Sequence, residues 1–179
     1  MKSSPPAAGR SPSSSNSNGS ASERAARPFD IVLFGATGFT GKLVAEYLAR
    51  RPDSTLKWAI AGRNAAKLAE VKAALARIEP ALANLEVIVC DSSDAASLAN
   101  VAAKARVVCT TVGPYFTLGR ELAAACASHG TDYCDLTGEV PFVRASIDQN
   151  DANAKRSGAR IVHCCGFDSI PSDLGVWMV

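Results

Sequence analysis

Short apolar runs alternate with amphipathic stretches along the chain from residue 28 onward. Several runs are rich in Val and Ile, which is typical of strands buried on both faces of a parallel sheet. They occupy residues 31–34, 58–60, 87–90, 107–112, 133–136 and 161–165. Repeated strand–helix alternation predicts an α/β fold with a doubly wound, mainly parallel Rossmann-type sheet and helices on both faces.

The stretches between these runs place apolar residues at helical spacing. One helix is predicted to begin after Asn64, which can act as its N-cap, and to end before Pro80. Asp94 can cap the next helix, and Gly130 is typical of the position after a helix C-terminus. Residues 139–157 also predict a helix, although a more polar one.

Changes in residue composition along the chain predict three segments. Residues 1–27 are rich in Ser and Pro and are expected to form a disordered tail, because they bury too little apolar surface to offset the entropy of ordering. A transit peptide is the alternative interpretation of this tail. A secretory signal is excluded because the tail contains no apolar run of the kind found in signal peptides. Residues 28–170 are expected to form an NAD(P)-binding Rossmann domain. Residues 171–179 are expected to begin a connection to a second, substrate-binding domain that this chain lacks.

Charge and cysteine content narrow the classes of partner. The net charge of the 179 residues is +2, and the first 27 carry four basic residues and one acidic residue, so the remaining 152 sum to −1. A near-neutral body argues against nucleic-acid binding, which needs clustered basic charge. No apolar run approaches the roughly 18 residues that span a bilayer. The six cysteines form no Cys-x-x-Cys pair, so reduced thiols are expected and no metal site is predicted.

The sharpest motif is the G-x-x-G-x-x-G loop at residues 35–41, between the first predicted strand and the first helix. Glycine allows a tight turn and a close approach to a pyrophosphate, while the free N–H groups of the helix N-terminus favour negative charge. A merely tight strand-to-helix turn is the alternative. The residues of this loop that are expected to contact a dinucleotide are Gly35, Thr37, Gly38, Phe39 and Thr40.

The end of the second strand predicts which dinucleotide is bound. NAD sites usually place an acidic residue here to bind the ribose 2′-hydroxyl, but residues 61–64 contain none. Arg63 instead offers a guanidinium suited to a 2′-phosphate, with Asn64 beside it and Lys67 one helical turn further. The cofactor is therefore expected to be NADP(H), although Arg63 could also be a solvated surface side chain.

Two further strand ends supply candidate cofactor contacts. Asp91, after the third strand, could flank the adenine or could form a capping loop with its neighbours. The turn after the fourth strand should border the pyrophosphate or nicotinamide, because ligands of doubly wound sheets bind outside the carboxyl ends of the strands. Its residues are Val112, Gly113, Pro114 and Tyr115, of which Tyr115 could equally be ordinary packing.

The catalytic residues stay unassigned. No tyrosine is followed four residues later by lysine, so the short-chain dehydrogenase pair is missing, and His163 is expected to be structural. Polar residues after the fifth and sixth strands could orient a substrate, or could cap helices and tie loops together. The second interpretation is preferred, because spacing alone identifies no general acid. These residues are Asp135, Thr137, Glu139, Asp168 and Ser169.

Five motifs in order carry a resemblance to a known family: GATGFTG at 35–41, AGRN at 61–64, TVGPY at 111–115, YCDLTGE at 133–139 and GFDSIPSDLG at 166–175. Together they resemble the saccharopine dehydrogenase-like oxidoreductases, most closely the trans-acting enoyl reductase branch. The resemblance covers residues 29–175. It implies an NADP-binding Rossmann domain followed by a larger α/β domain, and hydride transfer to C=C or C=N bonds.

The resemblance and the motifs together lead to an NADP-dependent oxidoreductase as the expected function, with a small-molecule or lipid-like substrate. This chain alone is expected to bind cofactor without reductase activity. A cytoplasmic location and homo-oligomeric assembly are also expected. The alternative is a non-catalytic NADP(H)-sensing module that regulates a partner. A nucleoside-sugar or isoflavone-type reductase would share the glycine loop, but the motif at 166–175 argues against it.

Overall fold

The structure, a computed structural model, describes residues 24–51 and 55–179, so most of the predicted tail lies outside the described residues. Six strands form one sheet in the order β3-β2-β1-β4-β5-β6, and every neighbouring pair is parallel. The strands are β1 (Phe29–Phe34), β2 (Trp58–Gly62), β3 (Glu86–Val89), β4 (Ala105–Thr110), β5 (Asp132–Asp135) and β6 (Ile161–Val162). The predicted doubly wound parallel sheet is confirmed.

Helices connect the strands. They are α1 (Phe39–Ala49), α2 (Ala65–Ile78), α3 (Ala95–Lys104), α4 (Tyr115–Leu118), α5 (Arg120–His129), α6 (Val140–Ser157) and α7 (Ile170–Trp177), with a short 3₁₀ helix at Pro80–Asn84. The predicted caps are confirmed: Asn64 and Asp94 each accept a backbone hydrogen bond at 3.0 Å. Gly130 has φ +66°, the left-handed conformation expected after a helix C-terminus.

Two apolar clusters hold the helices on opposite faces of the sheet. Leu33 and Ile60 pack with Leu68 and Leu75 of α2 on one face. On the other face, Val108 packs with residues of α3 and α5, which contact each other extensively. Alternate residues of β1 and β2 enter different clusters because successive side chains of a strand point to opposite faces. Both faces of the central strands are thus buried, as the apolar runs predict.

The chain joins the domain before residue 28. The Arg27 guanidinium donates to the Ala105 carbonyl at 2.7 Å and to the Thr131 hydroxyl at 2.6 Å. Arg24 donates to the Gly158 carbonyl at 2.8 Å and pairs with Asp132 at 2.9 Å. These two residues, which the sequence groups with the tail, therefore contact the folded domain.

The last helix leaves apolar side chains in solvent. Along α7, Val176 is 79% exposed and Trp177 is 83% exposed. In the part of the chain that the structure describes, no helix combines the length and the hydrophobicity needed to cross a bilayer.

Candidate functional site

Gly35 places the glycine loop against the end of β4. Its φ is +93°, a conformation that favours glycine. A Cβ atom here would lie 2.7 Å from Val112 Cγ2 and 2.8 Å from Thr111 Oγ1. The two strand ends therefore meet at a distance that only glycine permits, and this contact forms the floor of the candidate site.

The other two glycines of the motif have different roles. A Cβ on Gly41 would lie 2.1 Å from the Gly35 carbonyl oxygen, so this glycine lets α1 pack directly on the loop. A Cβ on Gly38 would meet only the same oxygen, at 3.5 Å, which is ordinary van der Waals contact. Internal packing thus requires glycine at two positions, and the third leaves open space in front of the helix.

The N-terminus of α1 is open to an anion. Gly38 is its N-cap, and no side chain caps it. The first N–H groups of a helix have no intrahelical partner, and the helix dipole favours negative charge there. In α2 and α3, by contrast, Asn64 and Asp94 fill this position with a side-chain oxygen. The geometry suits a phosphate at α1, as the motif predicts.

A cavity of about 270 Å³ lies in front of this helix, at the carboxyl ends of β1 to β4. The sheet order reverses between β1 and β4, and ligands of doubly wound sheets bind at such a switch point. Among the predicted contacts it brings together Gly35, Thr37, Gly38, Arg63, Val112 and Gly113. Its other lining residues are Phe34, Gly62, Cys90, Ser92, Thr111 and Leu118. None of these was among the predicted cofactor contacts, although Gly62 and Thr111 belong to the motifs at 61–64 and 111–115 and all but Leu118 lie at or just after strand ends.

Arg63 and Asp91 lie near each other beside the cavity. Hydrogen bonds from the N–H and hydroxyl of Ser93, at 2.8 and 2.7 Å, hold the pKa of Asp91 below its usual value, and the charge of Arg63 lowers it further. Asp91 therefore forms a capping turn, the second of its two interpretations. Asn64 likewise uses its side-chain oxygen to cap α2. This leaves Arg63 as the charged side chain that lines the cavity.

The remaining predicted contacts do not line the cavity. Phe39 is 83% exposed at the start of α1, and Thr40 follows it. Pro114 follows a cis peptide bond from Gly113. Tyr115 points into the core: its ring packs on Phe142 with centroids 5.8 Å apart, and its hydroxyl donates to the Thr110 carbonyl. Burial raises the pKa of Tyr115 to about 12, so of its two interpretations the structure shows packing.

Glu139 holds the turn that follows β4. Its carboxylate accepts hydrogen bonds from the N–H groups of Tyr115 at 2.7 Å and Phe116 at 2.9 Å. The Glu139 N–H in turn donates to the Thr137 hydroxyl at 3.0 Å. A carboxylate already occupies the N-terminus of α4, so a phosphate is not expected there. The open N-terminus of α1 is the better phosphate position.

Asp135 ties β5 to β6 and to the following loop. Its carboxylate accepts hydrogen bonds from the Tyr133 hydroxyl, the N–H groups of Thr137 and Cys164, and His163 Nδ1 at 2.6 Å. Burial acts to raise the pKa of Asp135, but the hydrogen bonds from His163 and Thr137 outweigh it and the pKa is lowered. The predicted loop-tying role of Asp135, Thr137 and Glu139 is confirmed by these contacts, and His163 joins them through Nδ1. None of these residues, and neither Asp168 nor Ser169, lines the cavity.

Comparison with known proteins identifies the family. The profile of the saccharopine dehydrogenase NADP binding domain matches residues 31–162, which is most of the chain. This chain belongs to that family. The match includes the glycine loop, Arg63 and the turn after β4, and the resemblance stated from the five motifs is confirmed.

The curated relatives of the chain are longer proteins. A trans-acting enoyl reductase of Mycobacterium leprae is 52% identical over 153 residues, which are 86% of this chain and 36% of the relative. A trans-acting enoyl reductase of Mycobacterium tuberculosis is 52% identical over 155 residues, with 87% and 36% covered. The chain therefore spans about 36% of the length of these relatives.

Solved structures share the fold. The apo histidine-tagged saccharopine dehydrogenase (L-Glu forming) of Saccharomyces cerevisiae superimposes with a TM-score of 0.60 at 22% identity, over 78% of this chain and 27% of that one. The triphenylmethane reductase of Citrobacter sp., solved with NADP(H), gives a TM-score of 0.50 at 17% identity, over 75% and 48%. At these identities the likeness shows the fold alone, an α/β fold of the Rossmann type.

Proposed function

We propose that this chain is the NADP(H)-binding part of an oxidoreductase that reduces an enoyl C=C bond. The observation that carries the proposal is one cavity in which the glycine loop, the open N-terminus of α1 and Arg63 meet. Gly38 leaves the approach to the helix clear, so the pyrophosphate would bind at the N–H groups of α1. Arg63 would bind the 2′-phosphate through charge-assisted hydrogen bonds.

The remaining wall of the cavity would face the nicotinamide end. Val112 and Gly113 form it, and Glu139 holds their turn in place through the N–H groups of Tyr115 and Phe116. When bound, NADPH supplies the hydride. The protein's part is to hold the dinucleotide at fixed geometry against a substrate. In the relatives nearly two thirds of the length lies outside the match, and we place the substrate-binding wall in that part.

The enoyl substrate class comes from the relatives, both of which are named trans-acting enoyl reductases at 52% identity. Reduction of a C=N bond remains the alternative within the family. NADPH oxidation by the full-length protein, measured with an enoyl thioester and with a cyclic imine, separates the two. Stoichiometric NADPH binding without turnover of either compound would favour the sensing module. A lipid-like substrate, a cytoplasmic location and homo-oligomeric assembly stay predictions.

Cofactor choice tests the site directly. NADPH and NADH are titrated by calorimetry against the wild-type chain, Arg63→Ala and Arg77→Ala. Arg77 is an exposed arginine in the last turn of α2, at the other end of that helix, and serves as the matched control. A lost charge-assisted contact is worth about 1.5–3 kcal/mol, or roughly 10- to 150-fold in affinity. Arg63→Ala should lose this much for NADPH and little for NADH, and Arg77→Ala should change neither. Equal wild-type affinity for the two cofactors would contradict the proposal.

A further inference from the structure

Cys109 and Cys134 lie opposite each other on neighbouring strands. They are register partners in the parallel pair of β4 and β5. Neighbouring strands are about 4.8 Å apart, and disulfides join Cα atoms separated by about 4.4–6.8 Å. Register partners point to the same face of a sheet, so the backbone already satisfies the main requirement for a bond between the two sulphur atoms.

The two thiols also interact in the structure. The proximity of the two thiols lowers the pKa of Cys109 and raises that of Cys134. Both side chains are half-buried. Val162, the register partner of Cys134 on β6, is 50% exposed, so solvent reaches this part of the sheet face. The pair therefore combines a strand register that suits a disulfide, two neighbouring thiols whose pKa values depend on each other, and access for a small reagent.

The other cysteines lack this combination. Burial raises the pKa of Cys126, which is completely covered, and Cys90 is buried with its sulphur beside the Ser97 hydroxyl at 3.3 Å. Cys164 and Cys165 are adjacent in sequence, and burial raises the pKa of Cys165. Cys165 lies near Cys109 and Cys134, which makes it the competing partner.

We propose that Cys109 and Cys134 are the site of a reversible intramolecular disulfide, formed by exchange with a low-molecular-weight disulfide. The Cys109 thiolate attacks one sulphur of the reagent, forming a mixed disulfide and releasing one thiolate. Cys134 loses its proton to solvent and attacks the Cys109 sulphur, which releases the second thiolate. Two protein thiols are oxidised, and the external disulfide is reduced to two thiols.

This bond would join β4 and β5 directly below the loops of the candidate site. Thr110 and Asp135 are the next register pair, and the loops that follow them meet where Glu139 binds the N–H groups of Tyr115 and Phe116. The inference does not depend on the proposed function, because it rests only on the two strands and their thiols.

Peptide mapping tests the proposal on the whole chain. The reduced protein is equilibrated in buffers of increasing oxidised-to-reduced glutathione ratio, quenched with acid, alkylated with N-ethylmaleimide and digested with trypsin without reduction. The expected result is that peptide 107–120 linked to peptide 121–144 forms at a lower ratio than any other disulfide. Peptide 121–144 also contains Cys126, so Cys126→Ala should keep the link and Cys134→Ser should abolish it.

Three results would overturn the proposal. The first is a disulfide within peptide 161–179 that forms at a lower ratio than the bond between Cys109 and Cys134. The second is a disulfide from Cys165 to Cys109 or Cys134 that forms at a lower ratio. The third is that Cys109 and Cys134 are both alkylated or capped by glutathione at every ratio. The wild-type protein alone decides among these three results, and Cys126→Ala assigns the link to Cys134 if Cys134→Ser fails to fold. Circular dichroism of each variant separates a lost bond from a lost fold.

Discussion

At the scale of single residues, the three glycines of the loop look equivalent in the sequence and are not equivalent in the structure. Gly35 is required by its positive φ and by the nearby Thr111 and Val112 side chains. Gly41 is required because the carbonyl of Gly35 fills the space where a Cβ would lie. Gly38 has room for a side chain, so a bound phosphate gives a reason for glycine that the protein's own packing does not.

Gly38→Val should therefore separate binding from folding. Its backbone is extended, with φ −76° and ψ 171°, which valine tolerates, so the fold should be kept. The β-branched side chain would cover the N–H groups at the start of α1, and NADPH affinity should fall at least roughly tenfold, about 1.4 kcal/mol. Calorimetry measures the affinity, and urea unfolding measures the stability.

Gly41→Val is the matched control for this substitution. Its Cβ would lie 2.1 Å from a backbone oxygen, so it should cost roughly 1–3 kcal/mol of unfolding free energy or more. If Gly38→Val binds NADPH with wild-type affinity, the phosphate contact lies elsewhere and the motif is only a tight turn.

At the scale of elements, a side chain distant in sequence fixes the turn that closes the candidate site. Glu139 lies just before α6, yet its carboxylate binds the first two N–H groups of α4. The contact brings the loop after β5 onto the turn after β4, and Tyr115 packs against Phe142 of α6 in the same region. The wall formed by Val112 and Gly113 is thus supported from the neighbouring strand.

Glu139→Gln tests this support with a nearly isosteric change. The oxygen of the glutamine amide can accept one of the two hydrogen bonds, but its NH2 group cannot accept the other, so one N–H of the turn loses its partner, at a cost of about 1–3 kcal/mol. We expect faster hydrogen exchange at Tyr115 and Phe116 and a weaker NADPH affinity. Glu121→Gln, on an exposed residue in the first turn of α5, is the control and should change neither quantity. Unchanged exchange at both amides in Glu139→Gln would show that the carboxylate does not hold the turn.

The sequence predicts the elements better than their ends. The apolar run at 161–165 predicts five residues of strand, but β6 contains only Ile161 and Val162. The N–H groups of Cys164 and Cys165 bind the side chain and the carbonyl of Asp135 instead of continuing the ladder. The hydrophobic pattern cannot reveal where β6 ends, because the end depends on the Asp135 carboxylate, which is far away in the sequence.

The candidate site shows the same limit. Dinucleotide binding favours glycine in the loop after β1 and a cationic side chain after β2 when the cofactor carries a 2′-phosphate, so Gly35, Gly38 and Arg63 can be predicted to lie around one cavity, as they do. The direction in which the Tyr115 side chain points cannot be predicted, because its ring suits a core and a binding site equally well. Its hydroxyl is satisfied by the Thr110 carbonyl, a partner that becomes visible only in the folded chain.

At the scale of the whole molecule, part of the positive charge of the N-terminal segment binds the folded domain. The first 27 residues carry four basic side chains, and two of them, Arg24 and Arg27, bind groups of the folded domain. Arg27 donates to the carbonyls of Ala105 and His129 and to the Thr131 hydroxyl, so it joins the start of β4 to the end of α5. Arg24 pairs with Asp132, which also binds Arg160 next to β6.

Two deletions test where the domain begins. Removing residues 1–23 should leave the unfolding free energy and the NADPH affinity unchanged, because the composition of that segment predicts no packed structure. Removing residues 1–27 also deletes Arg24 and Arg27, and the carboxylate of Asp132 then loses one of its two guanidinium partners. Hydrogen bonds to charged groups are worth about 1.5–3 kcal/mol each, so the longer deletion should lower the unfolding free energy by at least about 2 kcal/mol.

Urea unfolding of the two forms side by side measures the difference, with Arg24→Ala plus Arg27→Ala in the full chain as the control for the side chains alone. Equal stability of the two deletions would place the start of the folded domain at residue 28, as the sequence alone predicts.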